Sequence, residues 1–253
     1  EGYNLFEQIC LFIISLISNI FSAFSGGGAG VIQLPAILLL FNISFIKALT
    51  VHKIATVALG IGATSKFSKI ISFDKGLIIK LLIVGLPGVF MGAQLISYVN
   101  DQLARLMLGI LIISISLYSY IKNNYGEKEY TYASTIINNL GGYILIFLTG
   151  LLNGSLSAGT GLIFTIILIS WYGMDYKKAI AYTLIIVGIF FNALGAATLG
   201  LLAEIEWLLL PALFFGSLIG GYMGARISLS KSNRTIRITY QIITITVGFS
   251  LIL

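Results

Sequence analysis

Ten apolar segments, two of them too short to cross a bilayer, limit how this chain can fold. A helix rises 1.5 Å per residue, so about 20 apolar residues are needed to traverse the hydrocarbon core. Eight segments meet that length: 5 to 24, 48 to 65, 76 to 98, 103 to 121, 134 to 153, 178 to 198, 206 to 226 and 235 to 253. The other two, 31 to 41 and 162 to 172, hold only 11 residues each and reach about halfway. Both follow a glycine-rich break, "SGGGAG" at 25 to 30 and "NGSLSAGTG" at 153 to 161. Glycine weakens a helix by about 1 kcal/mol relative to alanine, so a gain elsewhere has to offset these runs.

Composition fixes the solvent. The chain is 58% hydrophobic and 9% charged, with a mean hydropathy of +1.01. That leaves too few polar residues to cover a water-soluble globule, and most of the surface must face membrane lipid. The excess of 15 basic over 9 acidic residues lies between apolar segments, where it sets orientation in a bilayer rather than a nucleic-acid surface. A single cysteine, Cys10, excludes an intramolecular disulfide and a multi-cysteine metal site. The sequence opens at Glu1 with no charged leader and no small-residue cleavage site, so a few residues are expected to precede it.

The two breaks prompt a search for repetition. Setting Gly30 on Gly161, an offset of 131, lays "FNISFIKALTVHKI" (41 to 54) on "YGMDYKKAIAYTLI" (172 to 185) and matches Lys47 with Lys178 and Ala48 with Ala179. An offset of 132 lays "GVFMGAQ" (88 to 94) on "GGYMGAR" (220 to 226) and Arg105 on Arg237. The expected fold is an all-α polytopic membrane protein of two five-segment repeats, 1 to 121 and 133 to 253, joined by a linker at 122 to 132.

An odd number of segments inverts the second copy, and the loop charges test this. Loop 66 to 75 carries Lys66, Lys69 and Lys75 against Asp74, whereas its counterpart 199 to 206 carries only Glu204 and Glu206. The following pair reverses the sense: 99 to 105 is nearly neutral, while 226 to 237 carries Arg226, Lys231, Arg234 and Arg237. Basic loops stay cytoplasmic, which puts both termini outside and the linker inside. Inverted repeats with short broken helices after the breaks are a common transporter architecture.

The glycine-rich motif after the first segment, the "K-A-[hydrophobic]-[TA]" start of the third ("KALT" and "KAIA"), the "MGA" patch in the fourth and the recurrence of this set resemble the TauE/SafE sulfite exporter family over nearly the whole chain. The resemblance implies transport of small sulfur-containing anions such as sulfite, sulfoacetate or related organosulfonates across the bacterial cell membrane. The second motif departs from a clean glycine string, and the identity of the anion rests on it.

Irregular backbone at membrane depth survives only when buried in protein or lining a wet cavity. Each break ends where a short helix begins, and a helix N-terminus presents free N–H groups and about half a positive charge. Two such ends converging would hold one anion through Gly26, Gly27, Gly28 and Gly30 in the first break and Gly159 and Gly161 in the second. Ser25, Ser155, Ser157 and Thr160 would add hydroxyls and Asn153 an amide. The competing reading is that the glycines only permit close helix crossing. His52 and Lys53 fall one turn into the third segment. Lys53 either draws an anion inward or snorkels to the headgroups, and His52 either exchanges a proton near neutral pH or is solvated. Asn192, in the middle of the eighth segment, lines the path or bonds a neighbouring helix.

No phosphate-binding loop, nucleophile with a base, or carboxylate cluster is present, so no enzyme, cofactor or metal site is expected. All nine carboxylates lie at termini, loops or segment ends, which favours uncoupled efflux down the membrane potential, about 2.3 kcal/mol per 100 mV for one charge. An anion channel, a proton-coupled importer and a substrate-free membrane scaffold are the alternatives. The expected partners are a small sulfur anion and lipid, with no nucleic acid and with room for a homo-oligomer.

Overall fold

The fold is described from a computed structural model, which describes residues 3–121, 129, 136–236 and 238–239. Every element among them is helical: α1 (Leu5–Ser25), α2 (Ala29–Leu40), α3 (Phe45–Phe67), α4 (Lys75–Ile96), α5 (Asp101–Ile121), α6 (Ile136–Ser155), α7 (Thr160–Tyr172), α8 (Tyr176–Leu202) and α9 (Leu210–Ser230). Among the described residues, five helices are long and apolar enough to cross a membrane: α1, α3, α4, α8, and α9 with the 3₁₀ turn Trp207–Leu209 before it. Helices α5 and α6 run to 21 and 20 residues. The two short segments are short helices, α2 of 12 and α7 of 13 residues. The expected linker, apart from Glu129, and most of the expected segment 235 to 253 lie outside the described residues.

Local chemistry sets where the helices start. Asn4 and Glu7 form a reciprocal capping box on α1. Asp74 caps α4 through the amides of Gly76 and Leu77. Ser44 caps α3 by accepting from Lys47 N, and Asp175, 131 positions on, caps α8 by accepting from Lys178 N. Helix α3 therefore starts at Phe45 rather than near 48, and His52 and Lys53 lie about two turns inside it, not one. Helix α8 holds a feature absent from the sequence reading: Leu184–Phe191 is π-helical.

Packing rests on two tight pairs, α1 with α9 and α4 with α6, with α9 also lying along α3. Small residues set the approach, as is usual where lipid gives helices no hydrophobic reason to associate. A Cβ at Gly88 would run into Phe147 O and one at Gly92 into Leu151 O. At the other pair, a Cβ at Gly220 would meet Leu16 O at 2.7 Å and one at Gly224 would run into Ile20 O. Gly220 and Gly224 lie 132 positions after Gly88 and Gly92, and Phe147 and Leu151 lie 131 after Leu16 and Ile20. The same contact is thus made twice with the roles of the halves exchanged. Large apolar side chains such as Leu5, Ile17, Ile83 and Leu201 point outward, fully consistent with a lipid-facing rim.

The two ends of the bundle differ in charge. At one end Lys47 pairs with Glu206 at 2.9 Å and Glu204 at 3.3 Å, and Asp101 accepts from Phe45 N. At the other, Ile70, Ile71 and Ser72 share a surface cavity with Asp175, Lys177, Lys178, Leu229 and Glu129, where Lys178 pairs with Glu129 at 3.1 Å. The loops with opposite charge, 66 to 75 and 199 to 206, therefore sit at opposite ends.

Gly92→Leu and Gly224→Leu should each lower stability by about 1–3 kcal/mol or more through overpacking, read as a fall in the melting temperature of purified protein in detergent. Gly109→Ala, where a Cβ meets nothing within 4 Å, should be neutral or stabilising by up to about 1 kcal/mol. Wild-type melting of Gly92→Leu would contradict the packing account.

Candidate functional site

The two breaks meet. Gly28, with φ of +111°, caps α2, and Gly159, with φ of +72°, caps α7. Both adopt the left-handed conformation that a side chain resists, and neither supplies a side-chain cap. A Cβ at Gly30 would lie 2.7 Å from Ala158 Cα, and one at Gly27 would lie 2.7 Å from Gly161 C. Gly30 and Ala158 lie 131 positions from Gly161 and Gly27 respectively. Glycine here permits backbone to touch backbone at the point where the two short helices begin.

Between them lies a cavity of about 30 Å³ lined by both breaks, α3 and the π-helical part of α8. On the scale where one water needs about 10–15 Å³, that is room for two to three heavy atoms. Among the described residues, the amides of Gly28, Ala29 and Gly30, and those of Gly159 and Gly161, have no hydrogen-bond acceptor, and all five residues line the cavity. Not every amide at these two helix starts is free. Val31 N donates to Gly28 O, Thr160 N to Ser157 O and Leu162 N to Gly159 O. Unpaired buried amides cost about 1–3 kcal/mol each, so five around one polar space leave it short of acceptors.

Most of the expected residues are brought together. Gly27, Gly28, Gly30, His52, Asn153, Ser157, Gly159, Thr160, Gly161 and Asn192 line the cavity. Three do not. Ser25 donates to Phe21 O and Gly27 O, and Ser155 donates to Leu151 O and Leu152 O. Their hydroxyls are spent on the chain's own carbonyls. Gly26, with φ of +92°, closes α1 by donating to Ser22 O and abuts Thr165 and Ile180 instead.

Lys53 is wholly buried and does not snorkel. Its Nζ donates to Asn153 O at 2.6 Å, Asn153 Oδ1 at 3.2 Å and Asn192 Oδ1 at 3.2 Å. Its stem passes over Gly195, where a Cβ would lie 2.9 Å from Lys53 Cδ. No carboxylate among the described residues pairs with it. Asn192 in turn donates to Val187 O, a carbonyl of the π-helical stretch of its own helix, at 2.7 Å, and through Lys53 it bonds the neighbouring α3 while also lining the cavity.

His52 is also buried. Its Nδ1 lies 2.7 Å from Gln33 Oε1, while Gln33 Nε2 donates to Ser15 Oγ at 2.9 Å. The amide orientation makes Nδ1 the donor, so Nε2 is the nitrogen left to face Gly30, whose Cβ would sit 3.2 Å from it. Sequence reasoning did not find Gln33, Ser22, Thr56, Thr183 or Val187. The repeat could have found two of these: Ser22 is 131 positions before Asn153 and Thr183 is 131 after His52, while Thr56 and Val187 pair only with each other. Gln33 carried no such signal, because its counterpart is Phe164.

Comparison with known proteins agrees with this geometry. The sequence matches the family described as "Sulfite exporter TauE/SafE" over residues 11–251. It is 27% identical over 234 residues to the probable membrane transporter protein YfcA of Escherichia coli (strain K12), covering 90% of this chain and 82% of that one. A probable membrane transporter protein of Haemophilus influenzae is 26% identical, covering 90% and 87%. The probable membrane transporter protein YunE of Bacillus subtilis is 23% identical, covering 96% and 97%. No solved structure matches. Spanning helices, broken helices meeting at a polar cavity and a family match over almost the whole length agree: this chain is a multi-pass membrane transporter of the TauE/SafE family.

Proposed function

We propose that the protein is a secondary transporter that exports small sulfur-containing anions, of the sulfite, sulfoacetate or related organosulfonate class, across the cell membrane. The observation that carries this reading is the set of free amides at two converging helix N-termini around one cavity. Such ends favour anions through both N–H donors and dipole. Buried Lys53 places nearby an amine able to carry positive charge, and among the described residues no acidic side chain lines the cavity to repel an anion. At about 30 Å³ the cavity is smaller than sulfite in this conformation, so taking up the anion requires the two breaks to separate.

The halves 1 to 121 and 133 to 253 act as inverted repeats joined by the 122 to 132 linker, with both termini outside and the basic end of the bundle in the cytoplasm. The exchanged glycine contacts of α1 with α9 and α4 with α6 support the pseudo-two-fold, and the separation of basic and acidic loops supports the orientation. Rocking one repeat against the other would open the cavity to each side in turn.

Gly28→Val and Gly159→Val should reduce sulfite uptake into inverted vesicles at least tenfold while leaving folded protein in the membrane. A β-branched side chain resists positive φ and occupies the approach to the free amides. Wild-type transport in both variants would favour packing as the role of the breaks. For topology, cysteines at Lys69 and Lys231 should react only with reagent admitted to the cytoplasm and one at Ala203 only with external reagent. Labelling of 69 and 203 from one side would defeat the inversion.

A further inference from the structure

We propose that Lys53 carries one proton with each anion, so that anion movement through this site is proton-coupled rather than driven by the membrane potential. The inference rests on the anion-transport reading above and adds the coupling group to it.

The geometry supplies three acceptors for the three donors of an ammonium, Asn153 O, Asn153 Oδ1 and Asn192 Oδ1, all neutral. Hydrogen bonds are thereby satisfied, but net charge is not. A lone buried ion carries a desolvation penalty of several kcal/mol that a counter-ion offsets. Among the described residues, the packed helices offer none, and the Asp74 and Asp175 carboxylates cap helix starts. Asp101 is engaged with Phe45 N at the end of α3, Glu204 and Glu206 with Lys47, Glu129 with Lys178, and Glu7 with the start of α1. On α8, the Tyr182 hydroxyl accepts from Asp74 N. The ionisable neighbour is His52, the preceding residue on α3, facing Gln33 of α2 and the cavity.

Two states of the site are therefore free of net charge: neutral amine with an empty cavity, and ammonium with a monovalent anion. Asn153 and Asn192 touch both Lys53 and the cavity, so an anion held there is one side chain away from the amine. Binding of the anion and protonation of Lys53 then favour each other reciprocally. The proton enters from water on the side the anion enters and leaves with it on the other, and either state can cross without moving charge through the bilayer. The sign of flux follows the combined anion and proton gradients. This replaces the expectation of uncoupled efflux drawn from the lack of a deep carboxylate: a deep lysine without a carboxylate serves the same end for an anion.

The test uses the full chain in liposomes with methanesulfonate and thiosulfate, neither of which titrates near neutral pH. Methanesulfonate flux should move protons in the same direction, one per anion, read with a trapped pH dye, and should not respond to a potassium-diffusion potential. Thiosulfate, with two charges and one proton, should respond. Methanesulfonate affinity in detergent should fall with rising pH by up to tenfold per unit. Lys53→Arg, which cannot release its proton, should retain binding and anion-for-anion exchange, lose the pH dependence and lose net flux. Methanesulfonate flux driven by potential without proton movement would overturn the inference and leave anion transport standing. So would pH dependence that persists in Lys53→Arg and disappears in His52→Gln. If Lys53→Arg does not fold, a pH-independent affinity in the native chain overturns it. Failure of folded native protein to bind or move any sulfur anion would instead overturn the underlying reading.

Discussion

A backbone amide inside a bilayer has no water to turn to, and that constraint governs the middle of this protein. Two breaks in helical backbone sit at membrane depth, and lipid cannot satisfy either. They are tolerated because they face each other: Gly27 lies against Gly161, Gly30 against Ala158, and the amides left over surround a shared polar space. The rest of the bundle follows from keeping that space closed to lipid. Long helices α1, α3, α4, α6, α8 and α9 enclose the short α2 and α7, and closely approaching glycines draw α1 to α9 and α4 to α6.

The chemistry of the site follows from what surrounds it. Helix N-termini, a buried amine and neutral amides make it electropositive without a fixed negative group. On the proposed reading, such a site would select by charge and size more than by shape, since backbone amides donate to any oxyanion small enough to enter. A second polar layer stands behind the cavity: Gln33 links His52 to Ser15, and Asn19 donates to Ser217 Oγ at 2.9 Å. This layer fixes the His52 ring from the side away from the cavity, so the ring presents one nitrogen to it.

The helices were legible in the sequence because apolar length and polar interruption determine spans in lipid, and the observed helix ends fall within a few residues of those expected. The two short helices were legible for the same reason, since glycine runs mark where helical hydrogen bonding stops. The same breaks brought Gly27, Gly28, Gly30, Gly159 and Gly161 to one cavity with Asn153, Thr160 and Asn192, whereas Gly26 packs against Thr165 and Ile180. Hydroxyl direction was not legible: Ser25 and Ser155 lie in or beside the breaks, but each bonds a carbonyl of its own chain segment. The depth of Lys53 was misjudged because the cap at Ser44 moves the start of α3 by several residues, and counting apolar residues does not see a cap. The π-helical stretch had no signature at all, because "LIIVGIFF" is as apolar as the α-helices around it.

That stretch has a consequence for the relation between the two halves. Matching patches are 131 residues apart up to Lys47 and Lys178 but 132 apart from Gly88 and Gly220 onward, so the second half holds one residue more between those points. A π turn closes a hydrogen bond one residue further along than an α turn, and Leu184–Phe191 lies within that interval. A surplus residue stored in a helix, rather than in a loop, rotates everything after it about the helix axis. Asn192 follows directly, and in register it opposes Ile61 or Gly60 of α3, depending on which spacing applies. An arrangement close to symmetric in its backbone thus has only one polar side chain where strict duplication would leave none or two. The site has a handedness: Asn192, which holds Lys53 and lines the cavity, has no polar counterpart at the related position of α3.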